Sequence, residues 1–306
     1  MDIVFCVDNN YTNLLAIAIN SILKNIKKDY SVNFFIMHKN MTNTNIRKIK
    51  SLVKNANKVY FIQVDENKLL ADFTIPNNWT NKVCYYRLIA PQIIQEFKIN
   101  NNLTEEEKLL YLDADIIVNG DISPIFDTDI SKVAIGAVRS PLNIDELEHI
   151  PTLNLPEEHK YIYSGLLLYN IKNYLNDNII EQAIKINQSY PNGLKWADMD
   201  MINMIFSPNK YVPILPKYSI FPGLDLTPYE HTIENYLRIY SGINSEDEIK
   251  DAFYNPIILQ LAGGAKPWRG VSTLNTISLW AKYSMFTPFS IDGVKYLIKK
   301  LMNKGT

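Results

Sequence analysis

The sequence predicts an α/β protein, a largely parallel sheet with helices on its faces. Three observations carry that prediction. Short β-branched and aromatic runs alternate with stretches of helical periodicity from the N-terminus onward. An apolar run, Leu109 to Leu112, leads straight into Asp113-Ala114-Asp115, and a second apolar run follows. At 306 residues, 47% hydrophobic and 21% charged, the chain suffices for one large α/β domain or two ordinary ones.

In chain order, residues 2–7 (DIVFCV) predict a buried first strand and Asp8-Asn9-Asn10 a turn. Leu14, Leu15, Ala18, Ile19, Ile22 and Leu23 mark one face of a helix. Residues 31–37 and 58–64 predict the next two strands, with a helix between them running from a Thr42 cap to about residue 56. A polar loop covers 65–82, and residues 85–97 read as a helix with Arg87 on its first turn. Residues 109–113 are the central strand, Gly120-Asp121 a turn, and 132–138 another strand. Residues 143–160 are acidic, proline-bounded and aperiodic, which predicts a long surface loop of the kind that serves as a lid. Residues 161–169 predict a strand, 178–189 an amphipathic helix, and 198–206 a helix opened by Asp198 and Asp200. Polar, partly helical sequence covers 234–253. The stretch 256–268 (PIILQLAGGAKPW), with two consecutive glycines and Lys-Pro-Trp, predicts a ligand-binding loop. At the end, Lys295, Lys299, Lys300 and Lys304 are interleaved with apolar residues. A short basic helix there suits an anionic membrane surface, and equally suits packing on the domain.

Several function classes fall away. Net charge is −1, so no global basic field points to nucleic acid. Cys6 and Cys84, the only cysteines, sit in apolar segments without CxxC spacing, as expected for reduced core thiols in a cytoplasmic protein. The start, MDIVFCVD, lacks the basic region of a secretory signal, and no run approaches the ~18 apolar residues of a membrane span. The first glycine in the chain is Gly120. Dinucleotide sites and P-loops need glycines directly after a strand, so that backbone can approach phosphate. The turn after the first strand, DNNYT, cannot do this.

The chemistry concentrates at Asp113 and Asp115. Side chains alternate across a strand, so both carboxylates leave the same face and repel unless something positive lies between them. A divalent metal held by hard oxygen ligands meets that need. A strand ending in a solvated polar turn also accounts for the pair, and on these two residues alone both readings stay open.

Five islands then fall in one order: DIVFCVDNNY, YYRL at 85–88, LLYLDADIIVNGDI at 109–122, DMDMINMIF at 198–206 and GGAKPW. Together they resemble glycosyltransferase family 8 over roughly residues 1–275. This group includes bacterial lipooligosaccharide α-galactosyl- and α-glucosyltransferases and glycogenin. The resemblance implies a GT-A fold, a Rossmann-like mixed sheet flanked by helices, over 1–275, with a short helical tail at 276–306. It implies transfer of a hexose, with retention, from UDP-glucose or UDP-galactose to a glycan or glycolipid acceptor, with Mn²⁺ or Mg²⁺. Such a chain is expected in the cytoplasm, with peripheral contact to the inner membrane surface, in lipopolysaccharide or other surface-glycan synthesis. By resemblance Asp113 and Asp115 are metal ligands. Val7, Asp8, Asn10, Tyr11, Arg87, Asp113, Ala114, Gly263 and Lys266 hold the nucleotide sugar, with Tyr11 stacking on the base and Lys266 donating to the diphosphate.

Four positions depart from the family pattern. Gln260 stands where the family places a metal-binding histidine; its carbonyl oxygen still suits Mn²⁺ or Mg²⁺. Tyr163 replaces an asparagine of the sugar pocket, and Ser140 an acid. Met199 occupies the place of a glutamine near the anomeric carbon. Methionine is neither nucleophile nor base, so Met199 cannot host a covalent intermediate, and Asp198 is the nearest acid for orienting the sugar. Two explanations fit: an altered donor pocket, or a UDP-sugar-binding protein that no longer transfers. A phosphohydrolase with an aspartyl nucleophile is the weaker third reading, since Ile116-Ile117 follow the acid pair and no downstream lysine with paired acids is evident.

Overall fold

The computed structural model describes residues 1–76, 81–141, 148–222, 232–261, 266–269 and 274–290. Its first strand, β1 (Asp2–Val7), is buried along its whole length. Alternation divides it between two cores. Ile3, Phe5 and Val7 face Leu15, Ala18, Ile19 and Ile22 of helix α1 (Thr12–Asn25) on one side of the sheet. Val4 and Cys6 face Ile89, Ala90 and Ile94 of helix α4 (Tyr86–Asn100) on the other. A strand covered on both faces reads as a continuous apolar run, which is why DIVFCV shows no polar alternation.

Strands β2 (Asn33–His38) and β3 (Lys58–Gln63) add in parallel on one side of β1, linked by helix α2 (Asn43–Leu52). Thr42 caps α2 as predicted, its hydroxyl accepting from Asn45 N at 3.3 Å. After the short helix α3 (Glu66–Leu69) and α4, the chain crosses to the other side of β1, where β4 (Lys108–Leu112) pairs with it in parallel. Short β5 (Ile116–Val118) continues beyond the acid pair. The strands β6 (Ile135–Arg139), β7 (Ile162–Asn170) and β8 (Val212–Ile214) complete a mixed sheet of order β3-β2-β1-β4-β7-β6-β8, in which β7 runs antiparallel to β4 and β6. Strand β9 (Ile258–Gln260) pairs antiparallel with β5, Gln260 opposite Ile116.

Strand order reverses between β1 and β4, and open α/β sheets bind ligands in the crevice at such a switch point, beyond the carboxyl ends of the strands. Those ends here are Val7-Asp8 and Asp113. At the other end of β1, Lys98 from the end of α4 pairs with Asp2, and Asn33 Nδ2 donates to the same carboxylate at 2.9 Å. Both charged side chains are almost fully buried.

One expectation needs correction. The predicted lid, residues 143–160, is not free over its described part from 148 on. His149 Nε2 lies 2.9 Å from Asp200 Oδ2, and Tyr161 OH and Trp196 N also donate to that carboxylate. His159 meets Asn203 Oδ1 at 3.0 Å, and Asn203 also clasps the backbone of Ile162. The polar residues of the helix Asp198–Ile205 thus tie this segment down. The helix Leu274–Ser284 packs on α1 through Asn20 Nδ2 to Tyr283 O at 2.8 Å. The basic stretch 294–304 lies outside the described residues.

Removing one partner of a buried ion pair strands the other charge. Lys98→Met is therefore expected to lower stability by about 3–5 kcal/mol in urea unfolding. Adding Asp2→Asn to Lys98→Met should recover much of that loss.

Candidate active site

At the switch point lies a cleft of about 440 Å³, lined by Val7, Asp8, Asn10, Tyr11, Arg87, Asp113, Ala114 and Asp115, with Cys6, Asn81, Val83, Cys84 and Tyr111. Its β1 wall is fixed by a local cap. Asp8 Oδ1 accepts from Asn10 N at 2.8 Å and Tyr11 N at 3.2 Å, while Oδ2 accepts from Asn81 Nδ2 at 3.3 Å. Asp8 is thus both a turn-stabilising acceptor and a wall of the cleft. The turn leaves the Tyr11 ring 39% exposed, free to meet a flat partner.

The opposite wall is built on Arg87. Its Nη1 donates to Ser164 O at 2.7 Å and Ser164 Oγ at 3.0 Å, and its Nε to Cys84 O at 3.0 Å. Its guanidinium also contacts two carboxylates, Asp113 Oδ1 at 3.2 Å and Asp198 Oδ2 at 3.1 Å, and stacks over the Tyr111 ring. Burial works against this charge, but Asp113 and Asp198 more than offset it and hold the guanidinium ionised. The contact with Asp198 is charge against charge, because the Nε hydrogen goes to Cys84 O and Asp198 Oδ2 receives no aligned hydrogen bond.

Asp113 has partners on both oxygens. Oδ1 accepts from Tyr111 OH at 2.7 Å as well as facing Arg87, and Oδ2 accepts from Tyr163 OH at 3.0 Å. The Tyr163 ring folds back over Gly165, where a Cβ would lie 2.2 Å from Tyr163 Cε1, so only glycine fits there. Phe221 braces that ring edge to face at 4.8 Å. Asp115 differs, with one ionic partner, Lys266 Nζ, at 2.8 Å. Burial and the charge of Asp113 push the Asp115 carboxyl up, and Lys266 pulls it back only in part.

The β5–β9 pairing brings Gln260 beside the acids, with Leu261 N donating to Asp115 O at 2.8 Å. Gln260 is 1% exposed, and neither its Oε1 nor its Nε2 has a partner among the described residues. An orphaned buried amide costs about 1–3 kcal/mol, so this one fits a ligand. Two carboxylates and an amide oxygen are hard donors that suit Mg²⁺ or Mn²⁺. Among the described residues no group of three His, Cys, Asp or Glu side chains could hold a metal.

The structure therefore brings together all the expected nucleotide-side residues that it describes; Gly263 lies outside the described residues. The two residues expected to be catalytic do not line the cleft. Asp198 is 2% exposed behind Arg87, and half-buried Met199 packs against the core cluster on the α4 face. Sequence reasoning missed Tyr111, Ser164 and Asn81. Strand alternation could have found Tyr111, two residues before Asp113 on the same face; nothing local marks the other two.

Comparison with known proteins defines the class. Two solved glycosyltransferases superpose with a TM-score of 0.74 each. They are the galactosyltransferase LgtC with donor and acceptor sugar analogues (19% identity, covering 94% of this chain and 96% of that one) and the bifunctional WbbM (16%, 97% and 51%). The fold is thus of the GT-A type. The profile of glycosyl transferase family 8 matches residues 2–272, and the chain belongs to that family. It is similar to general stress protein A of Bacillus subtilis, 25% identical over 88% of this chain and 87% of that protein. It is also similar to the lipopolysaccharide 1,2-glucosyltransferase of Escherichia coli K12, 25% identical over 88% and 72%.

Asp198 gives this site a pH signature. Burial lifts its carboxyl from 3.8 to about 6, outweighing Arg87. The folded state binds that proton more tightly than the unfolded one, so this stabilisation is complete below pH ~3.8 and is lost as pH rises through about 6. Relative to Asp198→Asn, the wild type should lose about 2 kcal/mol between pH 4 and 7 in urea unfolding. Parallel pH profiles would contradict the assignment.

Proposed function

We propose that this chain is a metal-dependent, retaining hexosyltransferase that moves glucose or galactose from a UDP-sugar to a glycan or glycolipid acceptor. The observation that carries the reading is the switch-point cleft, with a capped Asp-Asn-Asn-Tyr turn on one wall and Arg87, Asp113 and Asp115 on the other. Tyr11 would stack on uracil, and Asp8 and Asn10 would read polar edges of the nucleoside. Lys266 would donate to the diphosphate. Asp113, Asp115 and Gln260 would hold the cation, which when bound supplies Lewis-acid neutralisation of the departing diphosphate.

Retention is proposed from the family, and the route from Met199, whose thioether is neither nucleophile nor base. Asp8 lines the switch-point cleft with both oxygens engaged by Asn10 N, Tyr11 N and Asn81 Nδ2, and Asp198 faces Arg87 from a buried position outside it. The route we propose is departure and attack on one face. The C1–O bond to the diphosphate breaks, with its electron pair leaving on UDP. The acceptor hydroxyl bonds to C1 from the same side and gives its proton to the departing diphosphate oxygen. Arg87 orients Asp113, and Asp198 acts through Arg87 as a positioning residue.

The surface-glycan acceptor rests on relatives named for lipopolysaccharide and on pneumococcal glycosyltransferases such as GlyB, 24% identical over 92% of this chain and 61% of that protein. We place the work at the cytoplasmic membrane face. No helix among the described residues is long and apolar enough to cross a membrane.

Purified protein given UDP-glucose or UDP-galactose with Mn²⁺ should release UDP slowly without acceptor, and EDTA should abolish the release. Asp115→Asn should lower it by about 10²–10³-fold. Gln260→His should tighten Mn²⁺ binding in calorimetry. UDP binding with no turnover of either donor would favour a binding protein instead, a reading that the amide at Gln260 and the Tyr163 hydroxyl on Asp113 support.

A further inference from the structure

We propose that Lys266 is the resident counter-ion of Asp115 and competes with a divalent cation for that carboxylate until a diphosphate draws the ammonium away. On this inference, which rests on the functional reading above, the metal binds as part of a metal–nucleotide complex and not as a standing cofactor.

The two carboxylates of the acid pair are not equivalent. Both oxygens of Asp113 already have partners, Tyr111, Arg87 and Tyr163, which leaves it fewer lone pairs for a cation than Asp115. Asp115 carries the free valence, and there Lys266 Nζ sits 2.8 Å from Oδ2, with the two side chains only 12% and 15% exposed. The ammonium is held from a second side as well, 5.2 Å from the centre of the Trp268 ring. The third oxygen donor, Gln260, is neutral and adds no net charge to the attraction for a cation.

Charge counting gives the direction of the coupling. Asp113, Asp115 and Asp198 bring three negative charges; Arg87 and Lys266 bring two positive ones. A dication entering alone meets a nearly neutralised cluster and must displace an ammonium from a buried carboxylate. A diphosphate arriving with it offers that ammonium new oxygens at the same moment. Lysine suits the exchange, because its ammonium is a point charge with rotatable donors on a flexible stem. Metal and nucleotide then bind synergistically, each raising the affinity of the other by the same factor.

Titrating the full chain by calorimetry with Mn²⁺ alone, UDP alone, and each in the presence of the other tests this. In the wild type, saturating UDP should tighten Mn²⁺ by a factor within the usual coupling range, about 5–150-fold. Lys266→Met should tighten Mn²⁺ measured alone, weaken UDP, and shrink the coupling. Lys266→Arg, which keeps the charge, should leave Mn²⁺ alone as weak as in the wild type. Lys266→Gln serves in place of the methionine variant if circular dichroism shows that variant misfolded. A Lys266→Met protein with unchanged affinity for Mn²⁺ alone and weaker UDP binding would overturn the inference and leave Lys266 a simple phosphate clamp. Failure of UDP to bind the wild type with or without Mn²⁺ would instead overturn the functional reading, and the Mn²⁺-alone arm would still decide the competition.

Discussion

The buried Arg87 guanidinium is the contact on which the site depends. It reaches Asp113 at the end of β4, Asp198 at the start of the helix Asp198–Ile205, Ser164 on β7 and Cys84 just before α4. Four segments distant in sequence are set against one another by a single rigid fork of donors. The arrangement is viable because two carboxylates together outweigh the desolvation of one guanidinium. Asp198 bears the cost, its carboxyl lifted to about 6 despite an arginine at 3.1 Å.

From that anchor the division of labour between the two acids follows. Asp113 is turned inward, toward Tyr111, Arg87 and Tyr163, so it behaves as the keystone of the wall. Asp115 is turned toward the Lys266 side, and on the proposed reading it is the carboxylate more open to a cation. Tyr163 deepens the asymmetry, because its hydroxyl uses an oxygen of Asp113 that an asparagine could leave free. Gly165 makes room for it.

Much of this was legible in the sequence. The alternating runs placed β1 to β4 within two residues or so, because strands buried on both faces and helices with one apolar stripe leave clear patterns. The absence of early glycine excluded phosphate loops, and the ordered islands located the cleft. What the sequence could not show are contacts made by distant residues. Nothing near Asp198 announces Arg87, and nothing in 143–160 announces that Asp200 and Asn203 hold its described part down through His149 and His159. A segment rich in charge and proline reads as a free lid, yet two buried histidines are enough to fasten it. Met199 misled for a related reason. It sits between two functional acids, but helical geometry turns neighbours to different sides, and it packs on the core while Asp198 meets Arg87.

The most direct test of the central claim is a thermal-shift panel of UDP-, GDP- and ADP-sugars, each with and without Mn²⁺. A ligand that binds only the folded state stabilises it by about 2.7 kcal/mol at a hundred times its Kd, enough to read as a clear rise in Tm. The account predicts that UDP-sugars raise Tm strongly with Mn²⁺ and weakly without it, while the other nucleotide sugars do not. Stabilisation by GDP- or ADP-sugars, with none by UDP-sugars under either condition, would contradict it.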